Sequence, residues 1–593
     1  MTRAMAHRGP DDSGHVLLPT HAPGMMAGLG HRRLSIIDLE GGHQPMWSVD
    51  RRYAIVFNGE IYNYREVRGR LQAMGCQFAT QSDTEVILQA YACWGEAGVE
   101  RLEGMFAFGI WEPATETWFL ARDRFGIKPL YWAQPEPGTL AFASEIKPLL
   151  PLMGGARVER GALYHYLLYG WGPVDRTIFQ GVQHLPPSHT LTLRAGDAAP
   201  RIRRYWQLAR AGVHRSPAAW ADAARAALDA AVASHLVADV PVGLTLSGGV
   251  DSSAVLAAMA RAVSPACIHA FTLGYGLPDD EVPFARLAAH HVGAMAVERQ
   301  VPVDSFAERF ATCIWHLEEP IAHPVMGTTY QLAGLVREQV KVTLIGEGAD
   351  ELFAGYPHYR LLRPPFSLLP RSRLWPTILA AAYLMPEVST LARLLAPDLV
   401  DRGLLDAVAH QYDAYAKEGD VPSGVLRFEL EHELPQSQLA RIDKLTMAGS
   451  VEARVPFLDR AFAELAYDAP FGLKVQGGTQ KALLRRAVAD RLPPAIVQRP
   501  KSGKRGTQAL LPTILGMVTD GPLSHLIAGP TLTRRGWFDA AAVRRYLGEA
   551  GHPVVRRHPV ESRRRAKFAL ALAVLEQWAG LFLDQTPAER IYE

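Results

Sequence analysis

The chain has 593 residues, 48% of them hydrophobic, a composition of ordinary globular protein and a length that calls for two large domains rather than one core. Its 62 basic and 60 acidic side chains leave a formal charge of +2, which provides no one-sided field for nucleic acid or an anionic membrane. Four cysteines (Cys76, Cys93, Cys267, Cys313) lack CxxC spacing, which argues against a disulfide framework or structural zinc and for a reducing, cytoplasmic setting.

The first third reads as short strands separated by turns, at residues 53–57, 105–111, 117–121 and 140–143. A Gly-Asp-Ala-Ala-Pro turn follows at 196–200, and residues 205–216 read as a linker. From Pro217 the pattern becomes an Ala-rich helix and then alternates: strand 240–246, helix 254–262, strand 268–273, helix 284–291, strand 342–345, and a helix starting near Asp350. That order predicts a parallel sheet covered by helices, with the chain beyond Pro365 mostly helical.

Some segments point to chemistry that does not hold up. His432-Glu433 opens a zinc-protease-like HExxH, but Pro435 is expected to break the helix and Gln436 stands where the second histidine belongs. The run Arg563-Arg564-Arg565 reads as a solvated surface. The apolar stretch 568–582 is interrupted by Glu576 and Gln577 and is too short to span a bilayer, and the opening residues do not read as a signal peptide.

The sharpest motif is Ser247-Gly248-Gly249-Val250-Asp251-Ser252-Ser253, set between a strand and a helix. Its glycines allow a tight turn and close backbone approach, and amides and hydroxyls at a helix start form an anion cradle. No GxxxxGK[ST] is present, so this is not a Walker A loop. Asp251 brings a carboxylate into a phosphate site, which calls for a bridging divalent cation, Mg²⁺. A second loop, Gly346-Glu347-Gly348-Ala349-Asp350-Glu351, follows the strand at 342–345. Strands of a parallel sheet share one carboxyl edge, so Asp251 and Asp350 are expected to converge on that cation. An acidic helix start is the bland alternative for the second loop.

Together with GEGADELFAGY at 346–356, VEARVPFLD at 451–459 and KALLR at 481–485, the first loop resembles the N-type ATP pyrophosphatases, and the set resembles the asparagine synthetase family. The resemblance implies cleavage of ATP to AMP and pyrophosphate, with Ser247, Gly248, Gly249, Asp251, Ser252, Gly346 and Gly348 around the nucleotide. It implies that Lys481 neutralises pyrophosphate and the adenylated intermediate, that Glu347 positions that intermediate and manages protons, and that Tyr356, Glu452 and Arg454 shape the acyl-substrate end. The first third is similar to class II glutamine amidotransferase domains, through HRGPD at 7–11, RLSIID at 33–38, NGEIYN at 58–63, Ser82-Asp83 and RDRFGIKP at 122–129. By that resemblance Arg33, Glu60 and Asp83 bind glutamine, and Asn58 and Gly59 form an oxyanion hole. Taken alone, Asn58-Gly59 would read as a hairpin turn.

Family members open with Met-Cys-Gly, whose cysteine attacks the glutamine amide, whereas this chain opens Met1-Thr2-Arg3. Cys76 and Cys93 read as core thiols rather than substitutes. Met1 is expected to be an internal methionine of a longer reading frame, and the polypeptide as given is expected not to hydrolyse glutamine.

The expected architecture is a two-domain α/β protein. Residues 1–205 form an αββα amidotransferase domain without its edge strand, and residues 216–593 form an α/β synthetase domain with a helical C-terminal part. The expected reaction joins aspartate and ammonia, drawn from glutamine in a full-length form, with ATP consumed through β-aspartyl-AMP. Residues 122–129 and 143–147 are expected to face the domain junction. A cyclase of the β-lactam synthetase or peptide macrolactam type is the nearest alternative, and Ile345, Ala354 and Lys504-Arg505 depart from the family pattern at the acyl end. A catalytically silent scaffold is the alternative of another class. The sequence allows a homodimer.

Overall fold

The computed structural model describes residues 1–593 except 22–23, 278–279, 384, 418, 501–510, 549–558 and 585–593. The departure noted at Lys504-Arg505 lies outside the described residues.

The first domain is built on an antiparallel six-stranded sheet of β3 (Met46–Trp47), β4 (Ala54–Ile61), β5 (Gly104–Glu112), β6 (Thr117–Arg122), β10 (His189–Leu193) and β11 (Arg201–Arg204), in the order 11-10-6-5-4-3. Helices Tyr64–Ala73 and Asp83–Trp94 pack on one face, setting Val67 and Val86 over Ile55, Phe57 and Phe108. The hairpin of β1 (Asp12–Pro19) and β2 (Met26–Arg33) covers the other face through Leu29, Val56 and Trp111. Beside it lies a three-stranded sheet of β7 (Tyr131–Ala133), β8 (Ala141–Ala143) and β9 (Val182–His184). The strands expected at 53–57, 105–111, 117–121 and 140–143 are β4, β5, β6 and β8. The β1–β2 hairpin carries no clear apolar alternation, and the sequence reading missed it.

Residues 205–216 carry no helix or strand. Ser216 then caps helix Pro217–His235, accepting from the Ala219 amide at 3.2 Å with proline at the first helical position. The second domain holds a parallel sheet of β12 (Val242–Thr245), β13 (His269–Gly274), β14 (Met295–Gln300), β15 (Val342–Leu344) and β16 (Glu452–Arg454). Its spatial order is 14-13-12-15-16, so the chain reverses its winding between β12 and β15, where open α/β sheets bind ligands. The two outer strands were not anticipated: β14 has no buried residue and is exposed at both ends, and β16 is a charged Glu-Ala-Arg tripeptide.

The expected break at Pro435 does not occur. Residues Glu429–Leu439 form a π-helix that runs directly into helix Ala440–Met447. The wider turn accommodates a proline, which has no N–H to donate. The long helix Pro559–Phe582 is buried along residues 568–575, and none of the described helices is long and apolar enough to cross a membrane.

One apolar core runs through the junction, from Tyr131, Ile146 and Leu167 of the first domain to Leu445 and Trp578 of the second. Charged side chains also meet there. Arg8 Nη2 donates to Asp443 Oδ2 at 2.7 Å, and Lys128 Nζ lies 3.3 Å from Asp443 Oδ1. Lys147 Nζ lies 3.0 Å from Glu318, whose carboxylate also accepts from the Ile146 and Lys147 amides at 2.9 and 2.7 Å. Residues 122–129 and 143–147 therefore face the junction as expected. The 122–129 loop winds around buried Asp123, which accepts from the amides of Phe106, Phe125, Ile127 and Lys128.

Candidate active sites

At the carboxyl edge of β12 the backbone turns through Gly248, whose φ of +65° favours glycine, and a Cβ there would lie 2.4 Å from the Ala285 nitrogen. The turn is tied internally, with Ser247 Oγ 3.1 Å from Ser252 Oγ and accepting from the Gly249 amide at 3.3 Å. Gly249 then caps helix Val250–Ala262, with Asp251 in its first turn. The loop after β15 presses against the first one. A Cβ on Gly346 would lie 2.9 Å from the Ser252 amide nitrogen, and Gly348 (φ +88°) turns the chain beneath Leu458.

Lys481 joins the two loops. Its Nζ lies 2.5 Å from Asp251 Oδ2 and 2.6 Å from Asp350 Oδ1, and the side chain is 1% exposed. Burial works against the ammonium, but the two carboxylates outweigh it and raise its pKa above the usual lysine value. Gly355 makes room for this cluster, because a Cβ there would sit 1.9 Å from Asp350 Oδ1 and 2.1 Å from Lys481 Cε.

Above these groups opens a cavity of about 350 Å³, lined by Ser247, Asp251, Glu347, Asp350, Gln480 and Lys481, with Leu332, Val336 and Ile345 on its apolar side. Three further cations line it, Arg485, Arg441 and Arg499, and the last two were not anticipated. Arg441 Nη2 lies 3.3 Å from Glu347 Oε1, and Arg499 Nη1 donates to the carbonyls of Ser247 and Gly248 at 3.3 and 3.0 Å. The sequence reading missed both as site residues. Arg441 sits mid-helix with no local signal, and Arg499 belongs to no motif that points to the nucleotide. Ala354 takes φ +54°, a left-handed conformation that favours glycine.

Tyr356 stands behind this wall, not on it. Its hydroxyl donates to Glu351 Oε1 at 2.7 Å, and its carbonyl accepts from Gln480 Nε2. Burial pushes the Tyr356 phenol and the Glu351 carboxyl well above their usual ranges. Glu452 and Arg454, expected at the acyl-substrate end, are elsewhere. Alternate residues of a strand share a face, so both point from β16 toward the first domain. Arg454 is fully buried, with Nε 2.9 Å from Glu452, Nη1 on the carbonyls of His235 and Val237, and Nη2 3.6 Å from Glu60.

A second cavity, of about 600 Å³, lies in the first domain and gathers Arg33, Asn58, Gly59, Glu60 and Asp83, with Glu452 also in its wall. Asn58 and Gly59 are not a hairpin turn. They lie within β4, paired with Ala107 and Phe106, and Asn58 Nδ2 donates to Ser144 Oγ at 3.3 Å. Gly59 (φ +143°) presses on the Met105 carbonyl, leaving no space for a side chain. Arg33 is fixed by three carbonyls, those of Ile37, Asp38 and Leu39. Asp83 is buried, accepts from the Ile61 amide at 3.0 Å, and is raised by burial to about 6. Burial, reinforced by Asp83 and Glu452, also raises Glu60 well above the ordinary carboxylate range. The 3₁₀ turn Thr2–Met5 leads into the HRGPD segment, and Met1, Thr2 and Met5 border the cavity. No cysteine is among the described residues that line it.

The family model described as Asparagine synthase matches residues 223–580, and that described as Glutamine amidotransferase domain matches residues 1–206. The chain is 34% identical to a putative asparagine synthetase (glutamine-hydrolyzing) of Mycobacterium tuberculosis strain ATCC 25618 / H37Rv, across 99% of this chain and 94% of that protein. It is also 34% identical to asparagine synthetase (glutamine-hydrolyzing) 1 of Bacillus subtilis strain 168, over 85% and 82% of the two chains. To asparagine synthetase B (glutamine-hydrolyzing) of Escherichia coli strain K12 it is 29% identical, over 84% and 77%.

Proposed function

The chain belongs to the asparagine synthetase family, and from that premise we propose that it makes asparagine from aspartate, ATP and ammonia, releasing AMP and pyrophosphate. The observation that carries this reading is the convergence of Asp251, Asp350 and Lys481 at the switch point of the parallel sheet, beside Glu347. We assign residues 1–205 to the glutamine half and 216–593 to the synthetase half.

A side-chain carboxylate oxygen of aspartate attacks the α-phosphorus of ATP. The bond to the bridging oxygen breaks, pyrophosphate leaves, and β-aspartyl-AMP forms. Ammonia then attacks the acyl carbon and AMP departs. In this cavity the amides and hydroxyls of Ser247, Gly248, Gly249 and Ser252 hold phosphate oxygens at the helix start, with Gly346 and Gly348 shaping the opposite wall. Lys481 supplies a permanent positive charge where negative charge gathers on the departing pyrophosphate. Glu347, steered by Arg441, takes the proton released when ammonia becomes an amide. Tyr356 acts from behind, bracing the segment that bears Gln480.

Two partly exposed carboxylates already drawn to one cation suit Mg²⁺, which uses one or two carboxylates and completes its shell with phosphate oxygens. When bound, Mg²⁺ held by Asp251 and Asp350 would neutralise phosphate charge and hold the pyrophosphate as a leaving group.

In the first domain Arg33, Glu60 and Asp83 recognise the charged ends of glutamine, and Asn58 with the Gly59 amide faces the developing oxyanion. Because no cysteine is among the described residues that line that cavity, the polypeptide 1–593 is expected to draw nitrogen from ammonia and not from glutamine. We place the enzyme in the cytoplasm and allow a homodimer.

The test is to follow AMP and asparagine from aspartate, ATP and Mg²⁺ with either nitrogen source. Asparagine from ammonia alone is the expected result. Asparagine from neither source overturns the aspartate assignment, and efficient use of glutamine overturns the account of the first cavity.

A further inference from the structure

Cys76 and Cys93, 17 positions apart in sequence, bring their Sγ atoms to 2.7 Å. The approach is the last rung of a ladder. Helix Asp83–Trp94 presents Glu85, Gln89 and Cys93 at four-residue intervals and hence on one face, and the segment before the helix runs back along it. Glu85 accepts from the Ala79 and Thr80 amides at 2.8 and 2.7 Å. Gln89 Nε2 donates to the Gln77 carbonyl at 3.1 Å, and Cys93 meets Cys76. The Cys76 amide is itself held at 3.0 Å by the Leu71 carbonyl, in the last turn of the preceding helix. Two of the rungs are hydrogen bonds, and the third is a pair of thiols that the other two hold together. Both are reachable, Cys93 exposed and Cys76 partly so.

We propose that Cys76 and Cys93 form a reversible dithiol–disulfide pair, a redox modification site on the helix whose opposite end carries Asp83. The oxidant class is a small-molecule disulfide such as oxidised glutathione. The Cys93 thiolate attacks one sulfur of oxidised glutathione, the disulfide breaks, and one glutathione thiolate leaves. Cys76 gives up its proton and attacks the Cys93 sulfur of the mixed disulfide, expelling the second glutathione. The balance is two protein thiols oxidised by two electrons and one glutathione disulfide reduced to two thiols. Cys93 is the attacking partner because it is the exposed one, while burial and the neighbouring thiol raise Cys76 to about 11 and suit it to the slower resolving step. The ring so closed contains Ser82, Asp83 and Thr84, which line the first-domain cavity. The bond would therefore tie that wall covalently to its own helix. The proposal does not depend on which acyl substrate the enzyme uses.

The test uses the full chain carrying C267S, which removes the other exposed thiol. The protein is incubated with oxidised glutathione near neutral pH, unfolded, alkylated with iodoacetamide and mapped by mass spectrometry. A peptide linked through Cys76 and Cys93 within one chain, restored to two alkylatable thiols by dithiothreitol, is the expected result. With C76S added, a single glutathione adduct should persist on Cys93. Alkylation of both thiols after oxidation, a lasting adduct on Cys93 while Cys76 is present, or linkage between chains would each overturn the proposal.

Discussion

Lys481 shows how much one side chain carries. Its ammonium is the only positive charge directly on Asp251 and Asp350 among the described residues, and its left-handed backbone (φ +55°) starts helix Ala482–Ala487. In Lys481→Met, ATP–pyrophosphate exchange and ammonia-dependent synthesis should both fall by about 10²–10³-fold, as for the loss of one transition-state donor. Exchange at the wild-type rate would remove Lys481 from the chemistry. Asp83 makes a prediction of another kind. Its folded carboxyl titrates near 6, above the usual aspartate value, so the native state holds its proton more tightly. The stability this gives is present in acid and is lost as pH rises through the window between about 4 and 6. Glutamine affinity moves the opposite way, since the ligand's ammonium needs the carboxylate. Calorimetry should show affinity falling about tenfold per pH unit below that point, and Asp83→Asn should be weak and flat with pH. At this scale the sequence was most legible where backbone geometry forces residue type, as at Gly248 and Gly346. It was silent about Arg441, because an arginine within a helix looks the same whether it faces solvent or a cavity.

Among elements, the two loops after β12 and β15 were legible because strand, glycine-rich turn and helix follow one another in each, and a parallel sheet puts both turns on one edge. The short strand β16 was not, because three residues show no periodicity and two of them are charged. Reading Glu452 and Arg454 as acyl-site residues followed from motif position alone, and the alternation of the strand turns both toward the other domain. The π-helix Glu429–Leu439 was unreadable for a related reason, since a proline is a stop signal only where the chain needs its N–H. The turn after helix Ala349–Phe353 offers the clearest test. Gly355→Ala places a methyl against Asp350 and Lys481, and displacing them should lower pyrophosphate exchange by about 10²-fold. The same overpacking should cost about 1–3 kcal/mol of stability, leaving the variant folded. Unchanged exchange would mean the cluster tolerates displacement.

At the level of the molecule, helix Ala440–Met447 serves both cavities. Arg441, Ile442 and Thr446 line the synthetase cavity, Met447 lines the first-domain cavity, and Asp443 receives Arg8 and Lys128 across the junction. Burial disfavours the Asp443 carboxylate, but the two cations outweigh it and hold its pKa below the ordinary value. Its contribution to stability is therefore present above about pH 4 and is lost as pH falls through the folded value. Asp443→Asn removes the nearer partner of two buried cations, leaving Arg8 to Glu145 at 3.7 Å and Lys128 to Glu452 at 3.6 Å, and should destabilise the protein by about 1.5–3 kcal/mol, seen as a lower urea midpoint. Replacing Arg8 by Met in the same chain should recover part of that loss, whereas simple additivity would show that the two side chains are not coupled. None of this was visible in sequence, where Arg8 and Asp443 lie 435 positions apart.

The same helix sets the terms on which either half could be exchanged. A first domain grafted from a relative would reach Ala440–Met447 with its own side chains. Unless these offered cations where Arg8 and Lys128 stand, Asp443 would be left buried at the junction without the two cations that pair with it. The defect of such a chimera would lie in the suture and not in either transplanted pocket. Carrying those two cations along with the graft should repair it, and optimising either catalytic centre should not.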